Sequence, residues 1–306
     1  MSWQEIIGRC EVRFRIRVTG PVPGAGASRV FFATRVRQDV VLKVGLDETA
    51  VIREVNALEE LSGRGAIRVV DCDPSIPAVL LERAAPGQPL ASVTDDGRAT
   101  EIFCSVLDRL DPRPATGTHE SIEQHVSAIT RYQETRGPSG PLPFPWVARA
   151  LEFLRGLVAS TDRPVLLHGD LHHGNIVRHG NGWAVIDPKG LRGDRHFEVI
   201  QYLLNYPRRG GDVDLVLRRR MAMLTERLAL DAERMARWGV VKGVLDACWA
   251  LEDGTDWHSG LEAAERFARC LVASESQAAR EWMKEGTSAV SGRSWRRNDA
   301  TFHGGC

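Results

Sequence analysis

The segment from Val165 to Pro188, VLLHGDLHHGNIVRHGNGWAVIDP, constrains the fold more than any other part of the chain. Val165–Leu167 is a short apolar run that ends in His168-Gly169-Asp170, and Ala184–Ile186 is another that ends in Asp187-Pro188. Short apolar runs bounded by turn residues read as buried strands, so each delivers one carboxylate at a strand end. Between them, Asn175–Arg178 and Trp183–Asp187 flank His179-Gly180-Asn181-Gly182. Asn-Gly between apolar runs is a strong hairpin signal. A three-residue loop at 180–182 pairs His179 with Trp183, and so Asn175 with Asp187; a loop one residue longer or shorter moves the register by one place. Directly opposite residues have Cβ atoms ~5 Å apart. An amide oxygen and a carboxylate then converge, as hard oxygen ligands of Mg²⁺ should, while Asp170 stays free in the preceding loop. A single Asp at a strand end is usually a turn former or a helix cap. The conjunction of Asp170, Asn175 and Asp187 is what points to chemistry.

The rest of the chain supplies two kinds of surroundings. Up to residue 82 it reads mostly as strands. Glu11–Val18 alternates apolar and charged residues, the period of a half-buried strand. Val30–Val36 and Val40–Val44 follow, with Arg37–Asp39 as a tight connection, and Ile67–Cys72 and Ala78–Glu82 complete five strands. Asp47 caps one intervening helix that runs to about Leu61. Segments near 97–110, 119–136, 145–160, 195–206, 213–229, 231–252 and 260–284 carry helix-like apolar spacing. The boundary falls just after Glu82, near Ala84–Gly87, and gives units of 1–83 and 84–285. From Gly286 the chain is polar and aperiodic, and 286–306 reads as a disordered tail. A length of 306 residues suits two lobes, each able to bury a core.

The 40 Lys+Arg balance 40 Asp+Glu, so no overall field draws the chain to nucleic acid or to an anionic membrane. No run approaches the ~18 apolar residues of a spanning helix, and MSWQEIIGRC lacks the pattern of a secretion signal. The 6 cysteines are scattered with no C-x-x-C pair, which reads as reduced thiols in a cytoplasmic protein.

Two residues ahead of the main segment stand out. Lys43 lies inside the apolar strand DVVLKVG. On the helix after it, Val51, Val55, Leu58 and Leu61 form the apolar stripe. Glu54 lies near that stripe, whereas Glu60 lies far outside it. An acid so close to a buried face wants a cation, and Lys43 is the natural candidate. Gly20-Pro-Val-Pro-Gly24-Ala-Gly26-Ala-Ser28 lies between the first two strands and could offer backbone N–H groups to phosphate, although Arg29 stands where a third loop Gly would be expected. No G-x-x-x-x-G-K-[ST] sequence occurs.

The run H-G-D-L-H-H-G-N followed by I-D-P resembles the catalytic segment of small-molecule kinases related to protein kinases. HGDLHH-x-N, G-W-x-x-IDP-x-G-L-x-G and an Ala-Trp near a late acidic stretch resemble the streptomycin 6-phosphotransferase/hydroxyurea phosphotransferase family, over roughly residues 10 to 275. Gly174 departs from the Glu of its relatives at a position the motif leaves variable. The resemblance implies an α+β, two-lobed protein-kinase-like fold with a small five-stranded antiparallel sheet lobe and a larger, mainly helical lobe. It implies Asp170 as catalytic base and Asn175 and Asp187 as Mg²⁺ ligands. Lys43, paired with Glu54, would meet the ATP phosphates beside the loop ending at Ser28, and the backbone of Glu82–Ala84 would bond adenine. Phosphoryl transfer asks chiefly for metal charge on the phosphates and a nucleophile held in line.

The acceptor is expected to be a small, cationic molecule, streptomycin above all. Asp194 and Glu198 follow the metal motif, and Glu252, Asp253 and Asp256 cluster about Trp249 and Trp257. Carboxylates beside aromatic faces suit guanidino and amino groups. The late cluster could equally be a solvated helix end. The expectation is thus a monomeric ATP- and Mg²⁺-dependent kinase. Its alternatives are a kinase of hydroxyurea, a sugar or an amino alcohol, a non-catalytic binding module, and a metallohydrolase built on His168, His172, His173 and His179.

Overall fold

The computed structural model describes residues 3–23, 29–45, 47–111, 113–205 and 212–272. Ser28, the end of the helix expected to reach 284, and the tail 286–306 lie outside these residues. The first element is a helix, α1 (Trp3–Phe14), where the alternation of Glu11–Val18 led us to expect a strand. A four-residue spacing wins over a two-residue one here, because Ile6, Cys10 and Phe14 fall on one face and are buried together. Arg15, at φ 52, breaks the helix, and the strand β1 (Arg17–Pro21) begins two residues later.

β2 (Arg29–Arg35) and β3 (Gln38–Val44) form a hairpin in which Arg35 pairs with Gln38. Its turn is therefore Val36-Arg37, shorter than the expected 37–39. α2 (Glu48–Glu60) starts at Asp47, whose side chain accepts from the Thr49 amide. β4 (Val69–Cys72) and β5 (Ala78–Glu82) complete an antiparallel sheet of order β1-β2-β3-β5-β4. The two sheet faces bury different helices. Val40, Leu42, Val44 and Leu80 pack with α1, while Val79 and Leu81 pack with Val51, Val55 and Leu58 of α2. Each such side chain contributes roughly 1.5–3 kcal/mol on burial. Lys43 alternates with Leu42 and Val44, so it points to the α2 side.

Beyond Glu82 the chain is mainly helical. β6 (Pro86–Pro89) leads to α3 (Asp96–Leu110), and β7 (Glu120–Ser121) to α4 (Ile122–His125) and α5 (Ser127–Thr135). The helix expected over 119–136 is thus split, because Ser121 and Gln124 form a capping box that restarts the chain there. α6 (Phe144–Ala159) precedes β8 (Val165–Leu167), β9 (Ile176–His179), β10 (Gly182–Val185) and β11 (Leu191–Gly193). α7 (Ile200–Leu204) is shorter than the expected 195–206. α8 (Val213–Leu228), α9 (Ala232–Glu252) and α10 (His258–Val272) follow. Gly243 of α9 faces Gly260 of α10 so closely that a Cβ on Gly243 would lie 2.7 Å from the Gly260 carbonyl oxygen, which fixes the packing of the two helices. The core of this half contains Trp146, Trp238, Tyr202, Phe103 and Phe267, all fully buried.

Two small sheets lie within the helical half. One has the order β10-β9-β6, the other β7-β11-β8. The β9–β10 hairpin bonds backwards to the connection between α2 and β4, and so ties the halves together: Ile67 N–H donates to Val185 O at 3.0 Å, and Val185 N–H to Gly65 O at 2.9 Å.

Candidate active site

The β9–β10 hairpin turns on two residues, Gly180-Asn181, with Gly182 opposite His179 and Val185 opposite Ile176. This is one residue tighter than the three-residue loop expected from the sequence. Asn175 therefore faces Ile186, whose amide donates to Asn175 O at 3.0 Å, and Asp187 lies one step beyond the ladder. There the backbone turns left-handed, at φ 61 for Asp187, a conformation Asp tolerates better than most residues. The turn redirects its carboxylate out of the strand plane.

A hydrogen-bond chain ties the three polar residues together. Asn175 Nδ2 donates to Asp170 O at 2.9 Å. His168 Nε2 lies 2.8 Å from Ile186 O, and the Asp170 amide donates to His168 Nδ1 at 3.3 Å. Nε2 therefore carries the proton, and the imidazole braces the Asp170 loop against the residue before Asp187. Burial holds its pKa down to about 4, so it stays neutral. Glu198 supports the same loop from behind, accepting from His168 N at 2.6 Å and Gly169 N at 3.2 Å. Its complete burial pushes its pKa up to about 7.

Across the cleft, Lys43 Nζ bonds Glu54 Oε2 at 2.6 Å and Asp187 Oδ1 at 2.5 Å. One ammonium thus links the sheet, the α2 helix and the end of the hairpin. Burial works against its charge, but Glu54 and Asp187 prevail and raise its pKa. The two aspartates are driven apart. Burial is the largest influence on Asp170 and pushes its carboxyl up, Lys189 and His172 oppose this, and Asp187 adds to it. Burial pushes Asp187 the same way, but the charge and hydrogen bond of Lys43 outweigh it and hold that carboxyl below its usual range. Environments that separate two carboxyls in this manner equip one to handle a proton and the other to stay anionic.

The donor set suits a divalent cation. Asn175 spends its amide nitrogen on Asp170 O, which leaves Oδ1 as the atom a cation could meet, and Asp187 bonds Lys43 through one oxygen only. An amide oxygen and a carboxylate, completed by phosphate oxygens and water, make a Mg²⁺ set. Among the described residues no group of three or more His, Cys, Asp and Glu is arranged to hold a metal. The four clustered histidines diverge, which corrects the metallohydrolase alternative. His168 faces Ile186, His173 stacks on Tyr202 at 4.3 Å, His172 stands 3.9 Å from Asp170, and His179 stands 3.6 Å from Glu82.

At the expected hinge, the Glu82 amide is already used, donating to Arg68 O at 2.9 Å, and its carboxylate is held by Arg68. Glu82 N–H is therefore not a free donor for a base. No hydrogen bond engages the backbone of Ala84 among the described residues.

The acceptor candidates divide. Asp194 and Glu198 are interior residues, each 4% exposed, and are corrected to supports. Asp194 is held by His196, Arg234 and Trp238, the last at 2.6 Å, so its oxygens are occupied. Glu252 pairs with Arg131 at 2.7 Å and Asp256 with His258 at 2.6 Å, both on the outer surface; Asp253 is exposed as the C-cap of α9. Trp249 is half-buried, with the His125 ring edge-on at 5.2 Å and Lys242 Nζ 5.3 Å from its centroid. Sequence reasoning missed Lys189, 3.8 Å from Asp170, and the buried Lys242 paired with Asp246 one turn along α9. Both were findable. Lys189 immediately follows the IDP motif, and a Lys four residues before an Asp within an apolar helix is a pairing signal.

Comparisons with known proteins bear on this geometry. A family profile described as aminoglycoside/hydroxyurea antibiotic resistance kinase matches residues 14–254. A streptomycin 6-kinase of Streptomyces glaucescens is 33% identical over 226 residues, 70% of this chain and 72% of that one. A hydroxyurea phosphotransferase of Kitasatospora aureofaciens is 30% identical over 247 residues, 79% of this chain and 71% of that one. Among solved structures, a thermostable mutant of aminoglycoside phosphotransferase APH(4)-Ia, in ternary complex with ADP and hygromycin B, superposes with a TM-score of 0.65 at 16% identity, covering 88% of this chain and 99% of that one.

Proposed function

The chain belongs to the aminoglycoside/hydroxyurea antibiotic resistance kinase family, and we propose that it uses ATP and Mg²⁺ to phosphorylate streptomycin at the 6-hydroxyl. Its class is phosphotransferase, acting on a hydroxyl group of a small molecule in the two-lobed protein-kinase-like fold. The observation that carries the proposal is the Glu54–Lys43–Asp187 ion chain facing the Asp170 loop.

In this reading residues 1–83 form the nucleotide lobe and 84–285 the catalytic and acceptor lobe. Lys43, oriented by Glu54, holds the ATP phosphates, and Ala84 and the loop ending at Ser28 contribute to the nucleotide site. Asn175 and Asp187 would hold Mg²⁺, which would supply positive charge against the phosphates. Asp170 accepts a hydrogen bond from the acceptor hydroxyl and orients its lone pair in line. Its raised pKa suits a group that takes the proton as the bond to phosphorus forms. Lys189 stands close enough to shield Asp170 from Asp187. Trp249 is the acceptor-facing aromatic, and Glu252, Asp253 and Asp256 attract a cationic acceptor from the rim.

The streptomycin assignment rests on the 33%-identical relative. A second reading, a kinase of hydroxyurea, has the 30%-identical relative in its favour. We further propose that the protein is a cytoplasmic monomer; among the described residues no helix is long and apolar enough to cross a membrane. The test is ATP consumption with streptomycin, other aminoglycosides, hydroxyurea and simple sugars, followed by mass and NMR analysis of the product. A streptomycin 6-phosphate product is expected. Turnover with hydroxyurea and none with streptomycin would transfer the assignment to the second reading.

A further inference from the structure

Residues 113–121 touch the supports of three site residues at once. At one end, Leu166 N–H donates to Arg113 O at 3.0 Å and Pro114 bridges Val165, so the segment is tied to β8, which leads into Asp170. At the other end, Glu120 and Ser121 pair with Leu191 and Arg192 of β11, just after Asp187. In its middle it grips α2, the helix that carries Glu54. The Thr116 and Gly117 amides donate to the two Glu60 oxygens at 2.9 and 3.1 Å, and His119 Nε2 lies 2.9 Å from Glu60 Oε2. Glu120 adds an ion pair with Arg53, one residue before Glu54.

Glu60 stands far outside the apolar stripe of α2, where exposure would be ordinary. Its side chain is instead only 14% exposed and that of His119 only 1%. Partial burial pushes the Glu60 carboxyl up, yet the bonds from His119, Thr116 and Gly117 hold it below its usual range. Gly190, three residues after Asp187, fits directly against this assembly. A Cβ there would lie 2.9 Å from Ala57 Cβ, 3.2 Å from Arg53 O and 3.3 Å from His119 Nδ1, and its φ of +67 also favours glycine.

We propose that residues 113–121 are a strap that locks α2 against the catalytic lobe, with Glu60 and Arg53 as positioning residues that hold Glu54 on Lys43. A helix that could otherwise swing is tied, through Arg53 and Glu60 on one of its faces, to a segment paired with β8, which leads into Asp170, and with β11, which follows Asp187. The ion chain is therefore set before nucleotide arrives. The inference rests on the reading of Lys43 and Glu54 as the phosphate grip, and goes beyond it by assigning what keeps that grip in place.

The decisive experiment is a double-mutant cycle on the full chain with Glu60→Ala and Glu54→Gln, read as kcat and KM for ATP and for the acceptor. Glu60→Ala is expected to lower kcat/KM for ATP about tenfold while leaving the acceptor KM within about twofold. In the Glu54→Gln background the same change should have no further effect, because a positioning residue acts only through its target. Additive losses, or a lowered melting temperature with unchanged kinetics, would overturn the strap. If Glu54→Gln is itself without effect on ATP kinetics, the phosphate-grip reading fails, and the strap with it. Should Glu60→Ala not fold, hydrogen exchange on the unmodified protein decides. The amides of 48–60 should exchange within about twofold of the same rate with and without ADP; marked slowing on ADP addition would show a helix that is not locked.

Discussion

The two ends of the cleft are built in opposite ways. At the end proposed to hold phosphate, Lys43, Glu54 and Asp187 form one chain of contacts at 2.5 and 2.6 Å, with Lys43 and Glu54 buried and each member from a different element. At the end proposed to meet the acceptor, Glu252 and Asp256 are surface residues paired with Arg131 and His258. The first arrangement leaves little freedom and suits a ligand part that does not vary, a triphosphate. The second leaves side chains that can re-pair, and suits a face on which acceptor preference can drift without disturbing the chemistry. The sequence motifs follow the same division, dense at the first end and diffuse at the second.

The largest expected effect lies where the two ends meet. Asp170→Ala should lower turnover by about a thousandfold or more and leave ATP affinity within about threefold, measured by steady-state kinetics and nucleotide titration. Near-unchanged turnover would remove Asp170 from its assigned role. Next comes a pH effect that belongs to the buried end alone. Between about pH 6.5 and 4 the folded protein holds fewer protons on His168 than the unfolded chain does, so its contribution is intact above pH 6.5 and is lost as pH falls through that window. The shift corresponds to about 3 kcal/mol, seen as a lower urea midpoint at pH 4 than at pH 7. His168→Asn should flatten that slope; a slope left unchanged by it would dissolve the contrast.

Lys43→Ala should reduce kcat/KM for ATP by about a hundredfold, the scale on which a preorganised charge acts on a developing one. Activity kept within about twofold would show that the ion chain is structural rather than a phosphate grip. The smallest effects belong to the rim. Glu252→Gln and Asp256→Asn should each change the acceptor KM by less than about threefold, in keeping with exposed ion pairs. A larger loss at either residue would show that the acceptor end is as tightly built as the phosphate end.

How far the sequence reveals these two ends follows from the range of the forces involved. Helices α3, α6, α8 and α9 and the strand Ala78–Glu82 are legible because local spacing and caps define them. The Lys43–Glu54 pair is legible because one acid near an apolar stripe has few partners to choose from. The Glu11–Val18 strand fails because two periods overlap there, and burial of Ile6, Cys10 and Phe14 decides in favour of the helix. Asp194 and Glu198 fail for another reason. Carboxylates look alike in sequence whether they meet ligand or backbone, and only the position of Trp238 and of the His168 amide separates the cases. Glu60 is hidden for the same reason, since its three donors arrive from 56 to 59 residues away in the chain.

The β9–β10 ribbon has a mechanical consequence. Its backbone is bonded to Gly65 and Ile67 on one side and, through Gly180, to Ala85 at 2.8 Å on the other. The same ribbon ends in Asp187. Any rocking of the sheet against the helical half must then hinge along this ribbon, the line of least displacement. The carboxylate of Asp187 thereby sits beside a backbone seam stitched to both flanks, where relative displacement is least.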